Sequence, residues 1–237
     1  MSGVGEMARQ LLSWRPQRLA RSALLVLSGL GARVLLQGVL VVVLARTLGA
    51  TGYGHFVSWL AVTAGLAPLA GMGALTLVVR DVGRNATAVR DSFGSALRGV
   101  AASFVPLFAA GLVIGALVLP DSSALAGLSM VAVSDLLLAP GVDLVGRLNQ
   151  ALDRTGRMAA LSAGLVALRV VSAGAMLAAV SEPTSLDWAF WYFLATALAA
   201  APALALGVRE FGTPTKKKER ARFWEGGVFA IGASAGR

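Results

Sequence analysis

Along this chain the apolar residues gather in long runs, separated by short stretches where Arg, Lys, Asp and Glu collect. The runs cover approximately residues 22–45, 53–79, 93–119, 123–146, 159–180 and 187–208. Each reaches or exceeds the roughly 20 residues that a helix needs to cross about 30 Å of hydrocarbon. The pattern predicts an all-α integral membrane protein, with six transmembrane helices forming one lobe. A further run starts at Glu225 and stops at Arg237, which leaves too few residues to cross and reads as the truncated start of a seventh helix. The chain divides accordingly into a basic N-terminus (1–21), a six-helix lobe (22–208), a basic connection (209–224) and the seventh-helix start (225–237). The first run is longer than the 7–15 apolar residues of a signal peptide and contains Arg33, so it reads as an uncleaved span.

Composition agrees with the pattern: 57% of residues are hydrophobic and 14% charged, against about 25% charged in soluble domains, and the mean hydropathy is +0.74. The net charge of +9 is read as topology rather than as a nucleic-acid surface. Sixteen Lys and Arg residues fall before the first run and in the second, fourth and sixth connections; Arg46 stands alone in the first, third and fifth. The positive-inside bias then puts the N-terminus and the even connections in the cytoplasm, with the chain multi-pass in the cytoplasmic (inner) membrane. Tyr53, Trp59, Trp188, Trp191 and Tyr192 at predicted outer ends, with Trp14 and Trp224 near inner ones, read as interface belts.

Much chemistry is disfavoured at once. Cysteine is absent and His55 is the one histidine, so no disulfide, thiolate or multi-histidine metal site is expected. No G-x-x-x-x-G-K-[ST] loop occurs, which argues against ATP hydrolysis of the P-loop kind. The connection "RTLGATG" lacks an acid to hold a metal or act as a base. The expectation is a non-enzyme without cofactor or metal.

Ionisable residues inside the runs are costly and become the candidate site. Arg33, Asp135 and Arg169 each lie about ten residues from the cytoplasmic end of their run, which predicts a common depth of roughly 15–17 Å, near the midplane. Gln37 extends the Arg33 face by one turn, and Asp143 lies two turns nearer the cytoplasm than Asp135. One acid cannot neutralise two guanidiniums, so an anion is expected there: Arg33, Gln37 and Arg169 are candidates to bind a pyrophosphate or an anionic sugar. Asp135 and Asp143 remain open between ion coupling and a structural ion pair. Pro68, Gly71 and Gly73 cluster in the second run, predicting a kink or local unwinding. Gly111 and Gly115 have the spacing of a helix-packing seam.

The stretch "LARTLGATGYGHFVSWLAV" resembles the polysaccharide-biosynthesis flippases of the multidrug/oligosaccharidyl-lipid/polysaccharide exporter superfamily. Their "AR-x-LG-x-x-x-YG-x-F" pattern is matched by Ala45, Arg46, Leu48, Gly49, Tyr53, Gly54 and Phe56, and a following "G-x-x-x-x-x-x-R" by Gly73 and Arg80. "GRLNQALDRTGRMAAL" is similar to the family's basic inner loop. The resemblance implies export of a membrane lipid-linked saccharide, an oligosaccharide or polysaccharide precursor, by alternating access between two six-helix lobes. Cavity arginines would meet the pyrophosphate, and Asp135 would be a candidate for coupling to an ion gradient. This chain matches one lobe, so the resemblance implies an incomplete or half transporter that needs a second transporter lobe or a homodimer and does not flip lipid alone. A cation-coupled multidrug antiporter lobe and a non-transporting binding or scaffold fragment are the alternatives.

Overall fold

The computed structural model describes residues 16–71, 73–85, 87, 89–119 and 122–212. The expectations for residues 1–15, for the basic connection beyond Gly212 and for the seventh helix lie outside the described residues. Helix α1 spans Pro16–Leu66 and runs into a 3-10 turn, Ala67–Leu69. Next come α2 (Ala74–Arg84), α3 (Val89–Val118) and α4 (Ser122–Val133). A π-turn, Ser134–Leu138, joins α4 to α5 (Ala139–Ala151), and α6 (Thr155–Ala179) and α7 (Ser185–Phe211) complete the order. Five helical stretches are long and apolar enough to cross a membrane: Leu27–Leu69, Val89–Val118, Ala124–Ala151, Thr155–Ala179 and Ser185–Phe211. The chain is a multi-pass, all-helical protein over its described residues.

Five stretches stand against six predicted runs because the first two runs share α1. The "RTLGATG" segment is helical except at Gly49, whose φ of 66° and ψ of −178° lie in a region essentially reserved for glycine. The direction of the chain changes there. Arg33 and Ala67 line one cavity, whereas an unbroken helix would hold residues so far apart in sequence about 50 Å from each other. The half of α1 after Gly49 therefore folds back beside the half before it. The predicted second run also ends early, since α1 stops at Leu66 and α2 is a separate short helix.

Two apolar cores occupy opposite ends of the α4–α5 rod. The core nearer Gly49 joins Leu40, Leu44, Phe56, Trp59, Leu128, Met176, Trp188 and Tyr192. The other joins Val78, Val82, Phe93, Leu144, Val145, Leu148 and Phe211. Three of the expected belt aromatics thus belong to the interior: Trp59, Trp188 and Tyr192 are 2%, 0% and 3% exposed. Their spacing explains it, because Phe56 and Trp59 share one face of α1, and Trp188 and Tyr192 share one face of α7. Phe56 meets Trp188 and Tyr192 edge-on, with centroids 5.8 and 5.6 Å away. Gly127 makes room for the Trp59 ring, which any Cβ there would strike.

Helix α3 packs through Ser103, Leu107, Gly111 and Gly115, a buried stripe at every fourth position. A Cβ at Gly111 would come within 3.3 Å of Leu66, and one at Gly115 would collide with Leu128. At the start of α7, Thr184 accepts from the Asp187 amide while the Asp187 carboxylate accepts from Thr184, a reciprocal cap that starts the helix sharply.

Candidate functional site

The site begins where α1 gives way to α2. Pro68 has no N–H to continue a helix, and Gly71 and Gly73 take φ values of 75° and 77°, left-handed backbone that glycine adopts without strain. The freed groups find partners: the Gly71 N–H donates to Ser103 Oγ at 2.8 Å and the Ala74 N–H to the Gly71 carbonyl at 2.8 Å. Irregular backbone among membrane-crossing helices is tolerable where protein satisfies it or where it faces a cavity. Both conditions hold here. A cavity of about 510 Å³ is bounded by Ala67, Pro68 and Ala70 of the break and by Gly73, Leu75 and Thr76 at the beginning of α2. Arg33 of α1, Asp135 of the π-turn, Asp143 and Arg147 of α5 and Ser162 of α6 supply its charged and polar walls, with Leu165 beside them.

Asp135 owes its position to the π-turn. Pro140 offers no N–H to the Leu136 carbonyl, and the ladder widens just before it, the Ala139 N–H bonding to Ser134 O. The Asp135 carboxylate is then met from three sides. Oδ1 accepts from Arg169 Nη2 at 3.1 Å and from the Tyr192 hydroxyl at 2.8 Å, and Oδ2 accepts from the Thr63 hydroxyl at 3.3 Å. Arg169 is equally engaged. Its Nε and Nη2 donate to Thr196 Oγ1 at 3.3 and 3.2 Å, and its Cζ lies 4.0 Å over the Tyr192 ring. The side chains of Arg169 and Asp135 are 12% and 18% exposed. This closed, charge-neutral network ties α1, α4–α5, α6 and α7 together. Arg169 does not line the cavity.

Arg33 differs in every respect. It is exposed, and no hydrogen bond or ion pair joins it to another described residue. It also sits at a different level. Gly29 lies against Ala159, while Leu44 shares a core with Met176, so α1 before Gly49 runs parallel to α6. Arg33 is therefore level with about residue 163, roughly 9 Å along the axis from Arg169. The three charges expected at one depth divide into a largely buried pair and a guanidinium, unpaired among the described residues, nearer the Ala151 end. Gln37 is exposed one turn away and does not line the cavity.

Asp143, in contrast, faces the cavity and accepts from Arg147 Nε at 2.7 Å, one helical turn on. By sequence Arg147 counts among the basic residues of the fourth connection, because the apolar run stops at Gly146. The helix in fact continues to Ala151, which makes Arg147 a wall residue. The signal available in the sequence was the Asp143-x-x-x-Arg147 spacing, which places the two on one face.

Comparison with protein families finds that the model described as "Polysaccharide biosynthesis protein" matches residues 19–233. No curated protein and no solved structure matches the chain.

Proposed function

From the premise that this chain belongs to the polysaccharide biosynthesis protein family, we propose that it is a lobe of a transporter that moves a lipid-linked saccharide precursor across the cytoplasmic membrane. The observation that carries this reading is Arg33: a guanidinium without a partner among the described residues, facing a cavity of about 510 Å³ among helices apolar enough to cross a membrane. Such a charge is costly in hydrocarbon and tolerable beside water or an anion. Its planar fork suits the phosphate that links a saccharide to its lipid. The cavity volume lies in the range that accepts a small-molecule headgroup.

Arg169, in this reading, does not meet substrate but holds the Asp135 carboxylate in place. Asp135 is a structural partner first; the cation-drug antiporter alternative has less support, because the most buried acid on the cavity wall is already neutralised. The Leu27–Leu69 stretch counts as two crossings joined at Gly49, which gives six, and the N-terminus lies in the cytoplasm. A second lobe, or a second copy of this chain, would close the cavity over the exposed Arg33. No residue is assigned a catalytic role.

The test is export of a lipid-linked saccharide in cells that depend on this transporter. Arg33→Ala should reduce export at least tenfold while the protein still inserts, and Arg33→Lys should restore part of it, since a point charge lacks the bidentate fork. Undiminished export by a fully inserted Arg33→Ala protein would overturn the reading.

A further inference from the structure

Most helices of this lobe are interrupted at one level. Between α1 and α2 the chain breaks at Pro68, Gly71 and Gly73. Pro106 lies inside α3 and Pro202 inside α7, and each leaves a carbonyl one turn earlier, that of Ala102 or Leu198, without its helical donor. The α4–α5 rod carries the π-turn and Pro140. Contacts set these interruptions side by side. The Gly71 N–H reaches Ser103 Oγ at 2.8 Å, and Ala70, Leu107, Ala132 and Leu136 share one buried cluster. Val142 clusters with Ala200 and Ala203, which brings Pro140 level with Pro202. The interruptions therefore fall within a band about two helical turns deep, roughly 11 Å. In contrast, residues 27–48 of α1 and the whole of α6 contain no proline and cross this band unbroken.

The band also separates the two large cores. On its Ala151 side, α2, the start of α3, α5 and the end of α7 pack on one another through Val78, Val82, Phe93, Leu144, Leu148 and Phe211. Among the described residues, the first half of α1 adds nothing buried to that core, and α6 reaches it through half-buried Leu161. This unit is joined to α6 by the turn 152–154 and by ion pairs of Arg154 and Arg157 with Glu210, at 2.8 and 2.7 Å, which are solvent-exposed and therefore weak. The cavity walls divide the same way. Thr76, Asp143 and Arg147 belong to the unit, whereas Arg33 and Ser162 belong to α1 and α6.

We propose that the band is a hinge built into the lobe, with Ser103 as its latch: the unit of α2, α3 before Pro106, α5 and α7 after Pro202 tilts against the α1–α6 pair and changes the width of the cavity. Proline, glycine and π-turns are the features at which helices bend sharply, and hinges absorb motion in a few such residues. Each side of the band keeps its own packed core, so the tilt need not open either one. Ser103 is a positioning residue. It is 2% exposed, accepts from the Gly71 N–H and donates to the Val100 carbonyl at 3.0 Å, which pins the break of one helix to the kink of the next. That the tilt serves transport rests on the function proposed above; the tilt itself does not.

The chain contains no cysteine, so spin labels can be placed at introduced ones in the full chain in lipid nanodiscs, and their separation measured by pulsed electron resonance. Gly83→Cys with Val42→Cys reports across the band, from α2 to α1. Val42→Cys with Phe190→Cys is the control on the Gly49 side, and all three positions are exposed. The otherwise wild-type chain should show one main distance across the band and a minor second one. Ser103→Ala leaves the Gly71 N–H unpaired and should raise the minor population roughly fivefold, while Ser103→Thr, which keeps the hydroxyl, should restore the wild-type ratio. Pro106→Ala with Pro202→Ala returns the missing donors and should remove the minor distance; it carries the test if Ser103→Ala does not fold. One distance, identical in wild type, Ser103→Ala and the proline double variant, would overturn the proposal. Equal broadening of the control pair by Ser103→Ala would also overturn it, because the whole bundle would then be loosening. A second distance in a protein that exports no saccharide would support the hinge and sink the transport reading, whereas Arg33-dependent export by a lobe with one rigid distance would sink the hinge alone.

Discussion

Two arginines of one sequence meet opposite fates, and the difference lies in what surrounds each side chain. Arg169 is enclosed by Asp135, Tyr192 and Thr196, so its charge is part of the scaffold. Removing one member of a buried pair leaves an uncompensated charge and costs about 3–5 kcal/mol. Asp135→Ala should therefore lower the unfolding midpoint clearly in detergent. Arg33→Ala should change stability by no more than about 0.5 kcal/mol, as expected at a position with no partner among the described residues. Equal losses in the two variants would mean that Arg33 has a structural partner after all. The sequence showed that three charges lay within apolar runs, and it also showed that one acid could not serve two arginines. Which arginine Asp135 would take was not legible, because the choice depends on Tyr192 and Thr196, placed on α7 far along the chain.

At the scale of elements, glycine decides where helices approach and where they turn. Gly115 sits in the buried stripe of α3 against Leu128, with no room for a Cβ. Gly115→Leu should destabilise by about 1–3 kcal/mol through overpacking, while Leu117→Ala on the exposed side of the same helix, at 81% exposure, should stay within about 0.5 kcal/mol. Gly49 acts through its backbone: its neighbourhood would admit a Cβ, but its φ and ψ would not. Gly49→Ala should cost about 1–3 kcal/mol of strain in chemical unfolding, although it removes no contact. A neutral Gly49→Ala would show that α1 can reverse direction by another route. The Gly111–Gly115 spacing and the Pro68 and glycine cluster were visible in the sequence, because local chemistry sets both. The length of α1 was not, since "RTLGATG" looks like a loop by composition and is almost wholly helical.

For the whole molecule, the remaining question is which side faces the cytoplasm. The sixteen-to-one distribution of Lys and Arg between alternate connections leads to an expected pattern of reporter activity. Periplasm-active reporters fused after Ala50, Ser122 or Pro183 should be active, and those after Asn85 or Thr155 inactive. Activity at Asn85 with silence at Ala50 would invert the orientation. An inactive Ala50 fusion beside an active Ser122 fusion would instead contradict two crossings within Leu27–Leu69.

The sequence by itself determined that this chain is helical, lies in a membrane and carries charge inside its apolar runs. It did so because hydrocarbon thickness sets the length of a run and the cost of burying a charge makes each exception conspicuous. The "AR-x-LG-x-x-x-YG-x-F" stretch also pointed to the family. Tertiary structure alone decided that Trp59, Trp188 and Tyr192 are core rather than belt, that Arg147 belongs to the cavity wall, and that Arg33 rather than Arg169 is left without a partner among the described residues. The physical reason is common to all three. A side chain's depth along its own helix follows from sequence, but its direction and its neighbours are fixed by how helices pack, and hydrogen bonds and ion pairs form only between groups that packing brings within about 3 Å of each other.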